Sequence, residues 1–135
     1  MTWARPEGAN LQPGPPLKPF HFPQHRLRVY PLALDLAVAC RKLASALPRG
    51  NGPLGDQLKR ASAAVPLLLA EGINRRTAAQ ERQRYVEARG EVGEVAACLE
   101  LIARLELVPE AQVEPAWNLA TQVHPMLSKL LRRYG

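Results

Sequence analysis

The side chains best suited to chemistry in this chain are cationic. Arg75 and Arg76 stand immediately before Thr77, the expected N-cap of a long helix. Guanidinium forks beside a helix N-terminus, where backbone N–H groups lack intrahelical partners, suit phosphate oxygens. Arg82, Arg84 and Arg89 extend that basic surface. Lys129, Arg132 and Arg133 form a second patch near the C-terminus, where they also complement a helix dipole. The expected chemistry is contact with the phosphates of RNA or DNA, since few exposed aromatics are expected for base stacking.

Glu87, Glu91 and Glu94 form an acidic strip on the same helix. Three carboxylates could approach a divalent ion in principle. Without converging ligands from elsewhere they more often make a solvated face, and a neighbouring subunit's basic face could also meet them. No metal or cofactor is expected. Cys40 and Cys98 show no CxxC spacing and read as small buried thiols. No Ser or Cys nucleophile has a credible His partner, no Gly-rich phosphate loop precedes a helix, and H-E-x-x-H is absent, so a non-enzyme is predicted. His21 and His25 read as polar tail residues, and His124 as exposed or hydrogen-bonded.

With 135 residues the chain has room for about one domain, and 47% hydrophobic but only 5% aromatic residues leave Leu, Ala and Val to fill its core. Leu and Ala favour helices. A formal charge of +6 points to anionic partners or to a solvated basic face. No apolar run approaches the roughly 18 residues of a membrane span, and no signal-peptide core is visible, so a soluble cytoplasmic protein without a membrane partner is expected.

Those charges must be positioned by an all-α framework. Residues 1–27, with Pro6, Pro13, Pro15, Pro16, Pro19 and Pro23, read as a disordered or loosely docked tail in which Pro16-Leu17-Lys18-Pro19 has PxxP spacing. Residues 28–135 read as an antiparallel up-and-down four-helix bundle. A first helix is expected from Pro31 to Leu47, with Leu32, Leu36, Ala39, Leu43 and Leu47 inward. A second runs from Leu54 or Asp56 to Glu71, kinked or split at Pro66 and stopped at Gly72.

The third helix starts at the capping box Thr77-Ala78-Ala79-Gln80 and runs to about Leu107, with Tyr85, Ala88, Val92, Val95, Leu99 and Ile102 as its seam. Gly90 and Gly93 are expected to mark a close helix crossing. Leu101 and Leu105 project opposite that seam and point to self-association. A fourth helix begins between Pro109 and Pro115, anchored by Trp117, bends at His124-Pro125 and reaches Tyr134.

Gln57, Arg60, Ala61, Val65, Ala70, Glu71, Gly72, Arg76, Gly90 and Glu94 resemble the pattern QxxRAxxSIxxNIAEGxxR followed by a GSxxE-type segment. That pattern belongs to the four-helix-bundle proteins encoded in 23S ribosomal RNA intervening sequences, a family related to the accessory variability protein of diversity-generating retroelements. The resemblance spans residues 26–134. It implies a homopentameric barrel that binds nucleic acid and partners a reverse transcriptase. Leu101, Leu105 and the Glu87, Glu91, Glu94 strip, read from the faces of the third helix, are the expected contacts between copies. Ala64, Leu68 and Glu91 stand where the pattern has Ser, Asn and Ser, so the interior of the second helix is more apolar than the family's. Two functions follow as expectations: a basic oligomeric adaptor for nucleic acid or a reverse transcriptase ribonucleoprotein, or a structural homo-oligomer that docks a protein.

Overall fold

Leucine and alanine periodicity produces four helices. The computed structural model describes residues 17, 18 and 20–134. It contains α1 (Val29–Ala46), α2 (Gly52–Ile73), α3 (Ala78–Arg104) and α4 (Glu110–Leu131), flanked by short 3₁₀ turns at Pro23–Arg26 and Arg132–Tyr134. Consecutive helices pack together and α4 closes against α1, which makes the four-helix bundle expected from short connections. No strand occurs among the described residues.

The inward face of α3 is the one its spacing predicts. Tyr85, Ala88, Val92, Val95, Leu99 and Ile102 are all buried, and Thr77 caps the helix by accepting the Gln80 N–H at 3.2 Å. Opposite them lie Leu58, Ala61, Val65 and Leu69 of α2 and Val123 and Leu127 of α4. Each large apolar side chain taken out of water here contributes about 1.5–3 kcal/mol. In α1 the buried face is Ala33, Leu36, Ala39, Cys40 and Leu43, while Leu32 and Leu47, expected inward, are only half-buried.

Helix ends differ from expectation where a proline was taken as the signal. The third helix ends at Arg104, short of the expected Leu107, because Glu106 adopts a left-handed φ of 53°. The Leu107 N–H then reaches the Ile102 carbonyl at 3.1 Å and the Glu106 N–H reaches Ala103 at 3.1 Å, the two bonds of a Schellman cap. A glutamate at that position hides the motif, because glycine is its usual occupant. Pro66 does not split α2, which runs on to Ile73, and Pro115 and Pro125 lie within α4. Trp117 is 37% exposed, so Val113 and Ala116, both buried, anchor the start of α4 in its place.

Within the segment expected to be tail, the Pro23–Arg26 turn packs on α1 and α2, and Leu27 lies against the core. Pro16 and Pro19 of the PxxP spacing lie outside the described residues.

The glycines carry the largest correction. Gly72 does not stop α2. It lies in the last turn, where a Cβ would stand 2.8 Å from Tyr85 Cε1 and 3.0 Å from Arg84 Cβ. Gly90 and Gly93, expected at a close crossing, face open space instead. Opposite signs are therefore expected for two alanine substitutions. Gly72→Ala adds an overpacking penalty of about 1–3 kcal/mol that exceeds the ~1 kcal/mol helix-propensity gain. Gly90→Ala receives the gain alone. Urea unfolding should show the first variant less stable than wild type and the second more stable.

Candidate nucleic-acid interface

The antiparallel path brings the start of α1, the end of α2, the start of α3 and the end of α4 to one end of the bundle. The Tyr85 and Tyr134 rings meet edge to face at 5.9 Å, and Arg89 Nη1 donates to Ser128 Oγ at 3.3 Å, so the first half of α3 lies beside the last turns of α4. The two basic patches seen as separate in the sequence therefore share one end. Arg26 and Arg28 join them from the entrance to α1, and both are exposed.

These cations divide into two classes. Arg75 bonds Glu71 in the turn before it, and Arg84 reaches the same carboxylate at 3.2 Å while its Nη1 lies 2.8 and 3.0 Å from the two oxygens of Glu87. The hydrogen bond from Arg75, with Arg84 adding to it, holds the Glu71 carboxyl below the usual carboxylate range despite some desolvation. By contrast, Arg76, Arg82, Lys129, Arg132 and Arg133 are exposed and make no ion pair among the described residues.

The basic end has carboxylates, but each is engaged inside the chain: Glu71 and Glu87 as above, and Glu81 by the Tyr85 hydroxyl. Desolvation, followed by this contact with Glu81, pushes the Tyr85 phenol well above its ordinary range, so it stays protonated. Glu100, Glu106, Glu110 and Glu114 lie at the opposite end, around the α3–α4 turn. Among the described residues, cations therefore outnumber carboxylates at this end of the bundle.

The acidic strip expected to face a neighbour is also engaged within the chain. Arg60 of α2 bonds both Glu91, at 3.0 Å, and Glu94, and Gln57 bonds Glu94. The Glu94 hydrogen bond, then the charge of Glu91, raises the Arg60 guanidinium further above its ordinary range. Leu101 and Leu105 do face away from the core, 47% and 55% exposed. Neither thiol is poised for chemistry: burial pushes Cys40 up to about 12 and raises Cys98 as well. Among the described residues no cluster of His, Cys, Asp and Glu could hold a metal, and no helix is long and apolar enough to cross a membrane.

Several of the residues that meet across α2 and α3 are those of the sequence pattern: Gln57, Arg60 and Glu94 in one contact, which Glu91 joins, and Glu71 and Gly72 in the other, against Arg84 and Tyr85. The pattern's last arginine, three places after Gly72, falls on Arg75, which bonds Glu71, and not on Arg76. A family model described as 23S rRNA-intervening sequence protein matches residues 25–129. The chain belongs to the 23S rRNA-intervening sequence protein family. Among solved structures, the chain is similar to a protein of unknown function from the S23 ribosomal protein family of Bacteroides thetaiotaomicron, whose crystal structure was determined at 1.70 Å resolution. The two share a TM-score of 0.71 at 22% identity, over 76% of this chain and 97% of the other, which shows a shared fold. No curated protein matches the chain. In this family member the pattern's charged residues tie two helices together, and the exposed arginines lie beyond them.

Phe20 and Phe22 also lie at this end, 64% and 51% exposed. In the sequence their place beside the basic Arg26 and Arg28 already marks them as residues that could pack onto the body or a partner.

The Arg60 contact gives a direct test of its architectural role. Arg60→Ala should lower the urea midpoint at low ionic strength, and the difference should shrink in about 1 M salt, where exposed ion pairs are screened.

Proposed function

We propose that this protein is a non-enzymatic basic scaffold that holds nucleic acid through phosphate contacts at the basic end of its bundle. The observation that carries the reading is the convergence of Arg76, Arg82, Lys129, Arg132 and Arg133, all exposed and without ion pairs among the described residues. Cations without a carboxylate partner retain their charge for a polyanion and release its counterions on binding. Arg75, Arg84 and Arg89 belong to the same surface but already have partners, so they serve as its frame and contribute less. The exposed N-terminus of α3 adds backbone donors at Ala78 and Ala79. A reverse transcriptase ribonucleoprotein, the partner implied by the resemblance, would be held through its RNA at this end.

The test is affinity against salt for an RNA or DNA oligonucleotide. Binding should weaken steeply as salt rises. Arg76→Ala, Arg132→Ala and Arg133→Ala should each reduce the log–log slope by about one, with helicity unchanged. No binding at low salt would reject the reading.

Self-association has separate support. Leu101 and Leu105 form an uncovered apolar patch on the C-terminal half of α3, in line with the pentameric barrel implied by the resemblance. The carboxylates Glu87, Glu91 and Glu94 would border such an interface while keeping their intrachain partners. Light scattering should give a mass above the monomer, and Leu101→Asp with Leu105→Asp should return it to the monomer. A monomeric wild type at micromolar concentration would contradict assembly.

A further inference from the structure

The geometry points to single-stranded polynucleotide as the ligand of the basic end, with Phe20 and Phe22 as its base-stacking platform. This inference rests on the phosphate-binding reading above and narrows it to one class of nucleic acid. In a chain with only 5% aromatic residues, leaving two phenylalanines uncovered side by side is unusual. Their ring centroids are 4.7 Å apart with planes tilted at 51°.

The pair is held in place by polar contacts. The Phe22 N–H donates to His25 Nδ1 at 3.0 Å, and the His25 ring lies 6.0 Å from Phe22 and 5.8 Å from Tyr30 at the start of α1. Asn74 Nδ2 donates to Gln24 Oε1 at 3.3 Å, which fastens the Pro23–Arg26 turn beside the Arg75-Arg76 turn. The uncovered rings therefore share the end that carries the exposed arginines, with Lys18, Arg26 and Arg28 as exposed flanking cations.

Charge alone would accept a duplex and a single strand alike. Exposed aromatic faces do not, because duplex bases are already stacked on one another, whereas unpaired bases can stack on a side chain whatever their identity. A cationic surface beside an aromatic pair is thus complementary to a phosphate chain with unpaired bases, a chemistry shared by single-stranded RNA and DNA. An acidic protein partner would use the arginines equally well but would not distinguish stranded forms.

Fluorescence anisotropy with a labelled mixed-sequence 20-nucleotide RNA, its DNA counterpart and the duplex of each tests the inference on the full chain. The single strands should bind about tenfold more tightly than the duplexes. Phe20→Ala with Phe22→Ala should abolish that preference while leaving duplex affinity and the salt slope unchanged. Phe20→Leu with Phe22→Leu, which keeps apolar packing and removes the π faces, should abolish it too. Arg132→Ala with Arg133→Ala should weaken both forms together. Equal or tighter duplex binding, or a single-strand preference that survives both Phe variants, would overturn the platform and leave the phosphate reading intact. Binding of neither form at low salt would overturn both.

Discussion

The bundle depends on how closely α2 can approach α3. At Gly72 the two helices are so near that a methyl group would press into the Tyr85 ring and the Arg84 stem. Only a residue without a Cβ lets Tyr85 bury its ring there, place its hydroxyl on Glu81 and meet Tyr134 beyond. About one helix half further along, Gln57 and Arg60 hold Glu91 and Glu94. These contacts fix the register of α2 on α3 at two points. The steric point is enclosed and unforgiving, while the ionic point is exposed and sensitive to salt. Packing therefore supplies most of the stability, and the ion pairs specify the alignment.

That division accounts for the charge distribution. Carboxylates near the basic end are engaged by Arg75, Arg84 and Tyr85. The remaining arginines at that end keep an unbalanced charge, and the fold brings them together from the turn between α2 and α3, from α3 and from the turn after α4. Residues that look most like a binding motif in the sequence, Arg60 and Glu71 above all, are architectural, and the exposed arginines without ion pairs lie outside those contacts. In this chain the family likeness specifies a framework, and the surface proposed to meet nucleic acid lies at one end of it.

How much of this was legible in the sequence depended on the kind of signal. Periodic apolar spacing identified every buried seam residue expected in α3, because a helix packed on both flanks has only one way to hide Tyr85, Val92 and Leu99. Glycine and proline were less informative. Gly72 reads equally well as a stop or as a close contact, and only three-dimensional proximity distinguishes the two. The Glu106 cap lacks the glycine that normally announces it, and α4 tolerates two prolines within its length. Pairing of the acidic strip with Arg60 was equally hidden, since ion pairs between helices leave no periodic trace. Convergence of the basic patches followed from the up-and-down path, but it required the helix ends to be placed first.

On the proposed reading, the pattern residues build the frame while the basic end meets the ligand. Arginine side-chain NMR, recorded as a single-stranded oligonucleotide is titrated into the protein, tests it most directly. The Nε–H signals of Arg76, Arg82, Arg132 and Arg133 should move together while that of Arg60 stays fixed. Movement of Arg60 with those four unchanged would contradict that reading.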